Sequence, residues 1–325
     1  MKTAGLTLDA IRAARATVMG AAIRTPLVRL NLWDAPADVY LKLENLQPIG
    51  SFKIRGAANA IAQMEERALR DGVLTASAGN MAQGVAWNAR RLGIPCTVIA
   101  PDTAPEAKVR AVERLGGRVI KVPFDRWWQT FTDRAYPGIA GAFVHPFDDD
   151  RVMAGNGTIG LEILEDLEDV DSVLIPWGGG GLACGIASAI KGLKPAVRVY
   201  AVEVETATPL RASLQVGAVQ TVPYTPSFVD GIGSRTVFPD MLALAQDLLD
   251  GSQVASLEET KGAIRLLAER NRVIAEGAGA VALAVALSGR AGAGKIVCVV
   301  SGGNIDLDKL AGILAEGSPS PVRGG

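Results

Sequence analysis

The alternation of short β-rich runs with longer helical patterns is the feature that most constrains the fold of this chain. The apolar runs Val73–Ala76, Cys96–Ala100 and Ser172–Pro176, for example, each lead into a helical pattern. Strands that alternate with helices form parallel sheets covered by helices on both faces. Because the alternation occurs in two series, we predict an α/β fold of two parallel-sheet lobes with the active site in the cleft between them.

The same patterns locate the individual elements and the domains. The predicted strands are 39–43, 73–76, 96–100, 118–122, 142–144, 172–176, 198–202 and 296–300. The predicted helices are 7–21, 53–70, 80–92, 105–115, 125–135, 155–168, 180–193, 258–270 and 276–288. We predict a large domain of residues 1–71 plus 151–325 and a small α/β domain of residues 72–150. The chain ends soon after its last strand–helix unit, so we expect no C-terminal regulatory domain.

Charge and residue usage argue against several classes of protein. The formal net charge of −1 disfavours nucleic acid or an anionic membrane as the main partner. The segment after Met1–Gly5 is amphipathic and no apolar run is long enough to span a bilayer, which predicts a soluble cytoplasmic protein. His145 is the only histidine, so multi-histidine zinc sites are excluded and a histidine-dependent triad would need His145 as its base.

Other residues have structural interpretations. His145 stands in an apolar strand-end run, which favours a structural role. Cys96, Cys184 and Cys298 are far apart in apolar stretches, and we predict buried free thiols. The tail Gly317–Gly325 is rich in Gly, Ser and Pro and is predicted to be disordered.

Four consecutive glycines, Gly178–Gly181, follow an apolar strand and open a helix. Such a loop exposes backbone N–H groups, and the helix N-terminus adds a positive dipole, so a phosphate group fits there. A tight flexible turn is the alternative, although four glycines cost considerable entropy on folding. The pattern favours phosphate binding.

Three polar residues at helix starts or after strands each allow two interpretations. Asn80 follows Ser77-Ala78-Gly79 and either caps a helix or contacts a ligand. Ser301 follows an apolar strand and either caps the next helix or offers its hydroxyl to a ligand. Lys53 at a predicted helix start is either a solvated lysine or an amine of lowered pKa that forms a carbonyl adduct.

Taken together, and in their order along the chain, these segments resemble the fold type II pyridoxal phosphate (PLP) enzymes, which share the fold of tryptophan synthase β. The resemblance is to the threonine/serine dehydratase and serine racemase group. It implies that Lys53 holds PLP as a Schiff base. The other implied cofactor contacts are Phe52, Asn80 at the 3-hydroxyl, Gly178, Gly179, Gly180, Gly181 and Leu182 at the phosphate, Gly231, Glu276 near the ring, and Ser301 at the ring nitrogen. The implied substrate-carboxylate loop is Ser77, Ala78, Gly79, Asn80 and Met81.

The activity that the resemblance implies is α,β-elimination. The freed Lys53 amine takes the α-proton, the β-hydroxyl leaves, and hydrolysis gives a 2-oxo acid and ammonia. We therefore predict a carbon–nitrogen lyase that acts on a β-hydroxy-α-amino acid such as threonine or serine. The predicted partners are this small-molecule substrate and a second copy of the chain in a homodimer.

Three positions depart from the pattern of the group. Ala78 stands where serine racemases place an acid/base serine, so racemisation should be minor. Met81 replaces a common histidine and makes the pocket more apolar. Glu203 and the Ala207 carbonyl match two ligands of the group's metal site, but Pro209 stands where an Asp would bind, so we predict weak or absent activation by divalent metals.

Alternative functions remain open at this point. Met81, Trp127 and Trp128 suggest a dehydratase for a bulkier β-hydroxy amino acid, such as a phenylserine, unless the tryptophans pack in the core or cap the surface. A serine or amino-acid racemase and a β-substituting synthase are alternatives within the same fold. A catalytically silent PLP-binding or regulatory protein is the alternative from another class.

Overall fold

The computed structural model describes residues 5–316, and its strands form two separate sheets. The larger one, here called the large sheet, has six strands in the order β1-β2-β10-β7-β8-β9. All neighbouring strands are parallel except β1, which pairs antiparallel with β2 at the edge. Its strands are β1 (Leu27–Arg29), β2 (Asp38–Lys42), β7 (Ser172–Pro176), β8 (Arg198–Val204), β9 (Ser252–Ala255) and β10 (Lys295–Val299).

The other sheet, here called the small sheet, has four parallel strands in the order β5-β4-β3-β6. These strands are β3 (Val73–Ala76), β4 (Cys96–Pro101), β5 (Arg118–Val122) and β6 (Ala142–Phe143). The predicted α/β fold with two mostly parallel sheets is therefore confirmed. The domain boundaries at residues 71/72 and 150/151 stay a prediction, although the strands of the small sheet all fall between them.

Helices connect the strands and cover both sheets. They are α1 (Leu8–Met19), α2 (Lys53–Ala62), α3 (Glu66–Leu69), α4 (Asn80–Leu92), α5 (Glu106–Arg114), α6 (Phe124–Asp133), α7 (Asp150–Asp166), α8 (Gly181–Leu193), α9 (Pro209–Val216), α10 (Pro239–Leu248), α11 (Leu257–Leu266), α12 (Gly277–Leu287) and α13 (Leu307–Ala315). A 3₁₀ turn at Glu44–Leu46 and a π turn at Leu267–Asn271 complete the list.

Some element bounds differ from the sequence prediction. The helix predicted at 53–70 is two helices, because the backbone is extended at Glu65 between the buried α2 and the wholly unburied α3. Helix α7 begins before residue 155, because the Asp149 side chain accepts a hydrogen bond from the backbone N–H of Arg151 and starts the helix there. The helix predicted at 258–270 ends at Leu266 and continues as the π turn.

The hydrophobic core follows from the burial of the helices against the sheets. Two clusters of buried apolar residues cover the two faces of the large sheet, and a smaller cluster lies against the small sheet. Helix α12, which consists of Gly, Ala, Val and Leu, is buried from Gly277 to Ala286. Cys96, Cys184 and Cys298 are buried and free, as predicted.

The tail that was predicted to be disordered, Gly317–Gly325, lies outside the described residues. Within residues 5–316, no helix combines the length and the hydropathy that crossing a membrane requires.

Candidate active site

A cavity of about 600 Å³ lies where the carboxyl ends of strands from both sheets meet. Ser77 follows β3, Gly178 follows β7 and Ser301 follows β10, and all three line it. Ligands of parallel α/β sheets bind at this end of the strands because the connecting loops diverge there. The cavity is also lined by every other residue predicted for cofactor or substrate: Phe52, Lys53, Ala78, Gly79, Asn80, Met81, Gly179, Gly180, Gly181, Leu182, Gly231 and Glu276.

Lys53 is the first residue of α2, and its amine faces this cavity. Its Nζ donates a hydrogen bond to the Pro146 carbonyl at 2.7 Å and lies 5.1 Å from the centre of the Phe52 ring. Surrounding protein atoms desolvate the ammonium and lower the pKa of Lys53 to about 8. Among residues 5–316 no carboxylate forms an ion pair with it. Lys53 is therefore half-buried rather than freely solvated, and the lowered pKa increases the fraction of neutral, nucleophilic amine.

The loop Gly178–Gly181, here called the glycine loop, connects β7 to α8. A Cβ atom at Gly179 would lie 2.2 Å from the Phe147 ring, one at Gly181 would lie 2.7 Å from the Phe147 carbonyl oxygen, and Gly180 has φ +95°. Only glycine fits such positions. The first turn of α8 contains no acidic residue and has no side-chain cap, so its backbone N–H groups are open to an anion.

Asn80 is the first residue of α4, and it does not cap that helix, because Gly79 occupies the N-cap position. Its Nδ2 instead donates to Glu276 Oε1 at 2.8 Å. Burial raises the pKa of Glu276 to about 7, and the bond from Asn80 acts in the opposite direction. The capping interpretation of Asn80 is therefore wrong, while contact with a ligand in the cavity stays open.

Ser301 is buried at the end of β10, and its hydroxyl donates to the Ala278 carbonyl only at 3.4 Å. It does not cap the next helix, because α13 begins at Leu307 with Asp306 at the N-cap position. Its hydroxyl is thus loosely held and faces the cavity.

The donor set fits a molecule with a phosphate and an aldehyde, as in PLP. The glycine loop offers backbone N–H groups to a phosphate, and Lys53 offers an amine of lowered pKa to a carbonyl carbon. Asn80 and Ser301 offer polar groups in the same cavity.

The candidate metal ligands Glu203 and Ala207 do not line the cavity. Glu203 Oε1 accepts from the backbone N–H of Leu210 at 2.8 Å, and Oε2 accepts from that of Arg211 at 2.8 Å and from the Ser252 hydroxyl at 2.7 Å. Both carboxylate oxygens are therefore engaged at the start of α9. Over residues 5–316 no three His, Cys, Asp or Glu side chains are grouped as a metal site would require.

The sequence motifs missed several residues of the site. Phe124 and Tyr224, which were not singled out, line the cavity together with Trp127, which was suggested from the sequence, whereas Trp128 packs against Phe131 and Phe238. The same aromatic cluster holds His145, which is buried and whose Nδ1 accepts from the Asp148 backbone N–H at 2.8 Å. These are the contacts of a structural histidine.

Two polar contacts between distant segments were also missed. Lys108 and Asp230 form an ion pair of 2.8 Å at the cavity. Asn304 donates to Asn80 Oδ1 at 2.8 Å. The turn Ser301–Asn304 was recognisable in the sequence, but no pattern related Asn304 to Asn80.

Comparisons with known proteins agree with this geometry. The profile of the family described as "Pyridoxal-phosphate dependent enzyme" matches residues 18–302. The L-threonine ammonia-lyase of Geobacter sulfurreducens is 44% identical over 86% of this chain and 70% of that protein. Maize serine racemase superposes with a TM-score of 0.89 at 31% identity, over 96% of this chain and 98% of that one. Threonine deaminase isoform 2 of Solanum lycopersicum gives 0.85 at 33% identity, over 94% and 87%.

Proposed function

The chain belongs to the pyridoxal-phosphate-dependent enzyme family, and from this premise we propose that it is an ammonia-lyase for a β-hydroxy-α-amino acid, with L-threonine as the leading substrate. It eliminates the β-hydroxyl as water, and hydrolysis then releases the amino group as ammonia, so that threonine gives 2-oxobutanoate and ammonia. The observation that carries the proposal is the desolvated amine of Lys53, which has no ion-pair partner among residues 5–316 and lines the same cavity as the glycine loop.

We assign the cofactor contacts as follows. The glycine loop and Leu182 hold the phosphate, Asn80 donates to the 3-oxygen of the ring, and Ser301 faces the ring nitrogen. Lys53 is the covalent anchor, with Phe52, Gly231 and Glu276 around it. When bound, PLP withdraws electrons from the α-carbon of the amino acid.

The residues of the chain then move one proton. Once the substrate's amino group has released it, the Lys53 amine takes the proton from the α-carbon. Desolvation lowers the pKa of this amine to about 8 in the cofactor-free site. The loop Ser77–Met81 binds the substrate carboxylate through its backbone at the start of α4. Ala78 in that loop has no ionisable group, so nothing at that position returns a proton to the opposite face. Elimination is therefore favoured over racemisation.

A bulkier substrate is a second candidate, supported by one feature of the cavity. Phe124, Trp127, Tyr224 and Met81 all line it, and the Phe124 side chain is 57% exposed. An aryl group at the β-carbon would bury apolar area against these residues.

The test is turnover of a panel of β-hydroxy amino acids by the PLP-loaded enzyme. We expect release of 2-oxo acid and ammonia in equal amounts from threonine or serine, and chiral analysis of the remaining amino acid should find little of the D-isomer. Faster turnover of phenylserine than of threonine would favour the second candidate. A visible absorbance of lysine-bound cofactor without any turnover would contradict the proposal and indicate a silent PLP-binding protein.

The Lys53→Ala variant is the control for the site. It should lose both turnover and the absorbance of lysine-bound cofactor, and an undiminished absorbance would exclude Lys53 as the anchor. The homodimer, the cytoplasmic location and the two-domain division stay predictions.

A further inference from the structure

Asn304 lies behind the cavity, in contact with Asn80 but outside the cavity lining. Its Nδ2 donates to the Ile49 carbonyl at 2.8 Å and to Asn80 Oδ1 at 2.8 Å. Both hydrogens of this amide nitrogen are therefore used. The contact joins the turn after β10 to the start of α4 and to the segment just before Lys53.

The Ile49 carbonyl determines the orientation of both amides. A carbonyl oxygen only accepts hydrogen bonds, so Asn304 must present its nitrogen to Ile49. The second N–H of Asn304 then points at Asn80, which must accept this hydrogen bond with its side-chain oxygen. The nitrogen of Asn80 consequently faces Glu276 Oε1, 2.8 Å away. An isolated asparagine amide can adopt either orientation, but this series of contacts allows only one.

The orientation decides what Asn80 offers to the cavity. Its Nδ2 carries two hydrogens, and within the described part of the chain only the one directed at Glu276 has an acceptor. Asn80 therefore presents an N–H donor at the cavity wall. The reversed amide would present a carbonyl oxygen, beside the carboxyl group of Glu276.

Two glycines make room for this arrangement. Gly50 has φ +69°, and a Cβ atom there would lie 2.7 Å from Asn304 Oδ1. A Cβ atom at Gly302 would lie 2.4 Å from Glu276 Oε1. Side chains at either position would displace the groups that connect Ile49 to Glu276.

We propose that Asn304 is a positioning residue that holds the Asn80 amide with its N–H donor toward the cofactor. The hydrogen bond from Asn304 to the Ile49 carbonyl fixes the orientation of the Asn304 amide. The inference rests on the cofactor site proposed above, in which Asn80 meets the 3-oxygen of PLP. A donor stabilises the anionic form of that oxygen, whereas an acceptor would repel it.

Asn304→Asp is the decisive variant, because Asp has the same shape but only accepts hydrogen bonds. Its carboxylate repels the Ile49 carbonyl and attracts the N–H of Asn80, which turns the Asn80 oxygen toward the cavity. We expect PLP to bind about 10- to 100-fold more weakly and the visible absorbance of the bound cofactor to shift. Asn304→Ala only releases the amide and should have a smaller effect. A packing role predicts the opposite ranking, because Ala leaves the larger void.

Two controls distinguish a positioning role of Asn304 from a general loss of structure. Asn45 Nδ2 also donates to a backbone carbonyl, that of Ile274 at 3.0 Å, and Asn45→Asp should leave the PLP affinity within about twofold of wild type. In an Asn80→Ala background, Asn304→Asp should cause no further loss of affinity, because it acts through Asn80. Thermal unfolding of each cofactor-free variant checks that it is folded.

The readout is the dissociation constant of PLP, measured by titration without any amino acid. Wild-type affinity and absorbance in Asn304→Asp, or an equal loss with and without Asn80, would overturn the inference. The measurement does not depend on threonine being the substrate. If the wild-type protein itself failed to bind PLP, the proposed cofactor site and this inference would fall together.

Discussion

The desolvated amine of Lys53 suits the proposed chemistry but destabilises the folded protein. Its amine is desolvated without a carboxylate partner in the described residues, which lowers its pKa to about 8. The folded protein therefore loses this proton at a pH of about 8, whereas the unfolded chain keeps it up to a pH of about 10.4. Between these two pKa values the unfolded state binds more protons, so stability rises with pH, and below pH 8 the full cost is present.

We therefore predict that Lys53→Met stabilises the cofactor-free protein at pH 7. The expected gain is about 2 kcal/mol, after a reduction for the partial exposure of the side chain to the cavity. The gain should shrink as the pH rises above 8. Urea unfolding at pH 7 and at pH 10 measures it.

Lys309→Met is the matched control for this prediction, because Lys309 is 44% exposed on α13. It should give no comparable gain at pH 7. Equal or lower stability of Lys53→Met at pH 7 would show that desolvation of the ammonium does not destabilise the fold.

Among the elements, helix α9 depends on a side chain from a neighbouring strand. Glu203 of β8 accepts hydrogen bonds from the first backbone N–H groups of α9 and from Ser252 of β9. It thus satisfies donors that no residue within the helix can satisfy. A carboxylate engaged in this way has little capacity left for a cation.

For Glu203 we predict that activity does not depend on a metal and that the side chain contributes to stability. EDTA should leave the activity unchanged, and Glu203→Gln should lower the free energy of unfolding by about 1–3 kcal/mol, because an amide nitrogen then faces a backbone N–H. Activity assays with EDTA and with added Mg²⁺, together with urea unfolding, check both parts. Glu258→Gln, at a side chain that is 76% exposed, is the control and should change stability by less than about 0.5 kcal/mol. Restoration of lost activity by Mg²⁺ would contradict the first part.

The elements also show which parts of the fold the sequence could predict. The bounds of β3, α4, β5 and β7 are those predicted, because each is an apolar run or a helical pattern with clear ends, such as Gly93 in the left-handed conformation after α4. Strand β1 has three residues at a sheet edge, and it carries too little pattern to be recognised. Helices α9 and α10 and strand β9 were not predicted, and the helix expected after β10, which is α13, was given no bounds.

The residues of the site could be predicted where they belong to a contiguous sequence motif. Lys53, the glycine loop and the loop before α4 follow that rule, and the structure brings them to one cavity. The orientation of Asn80 was not predictable, because it depends on a contact between Asn304 and Ile49, 255 residues apart in sequence. Such a contact exists only after both sheets have formed and the loops at their ends have met.

At the scale of the whole molecule, the three buried cysteines report on the two sheets separately. Cys96 lies in β4 of the small sheet, whereas Cys184 lies in α8 and Cys298 in β10 of the large sheet. Burial raises the pKa of the Cys96 thiol to about 12 and also raises the pKa of the other two. Because the thiolate is the reactive form, alkylation requires that the surrounding structure opens.

We predict that rising urea exposes Cys96 before Cys184 and Cys298. The small sheet has fewer strands and a smaller buried core, so it should open at lower denaturant. Pulse alkylation followed by mass spectrometry of each cysteine measures this order. Cys184 and Cys298 serve as internal references and should react together. Simultaneous labelling of all three would show that the two sheets unfold as one cooperative unit and would contradict the predicted order.

The position of β10 in the large sheet has a consequence for how the protein is made. This last described strand lies between β2 and β7, and its Lys295 pairs with Asp38 of β2. During synthesis on the ribosome, β2 and β7 acquire their shared neighbour only after Lys295–Val299 has emerged. The small sheet, by contrast, is complete once Phe143 has left the exit tunnel. Nascent chains should accordingly carry one folded sheet beside another that lacks its strand β10. The unpaired edges of β2 and β7 make this intermediate prone to aggregation.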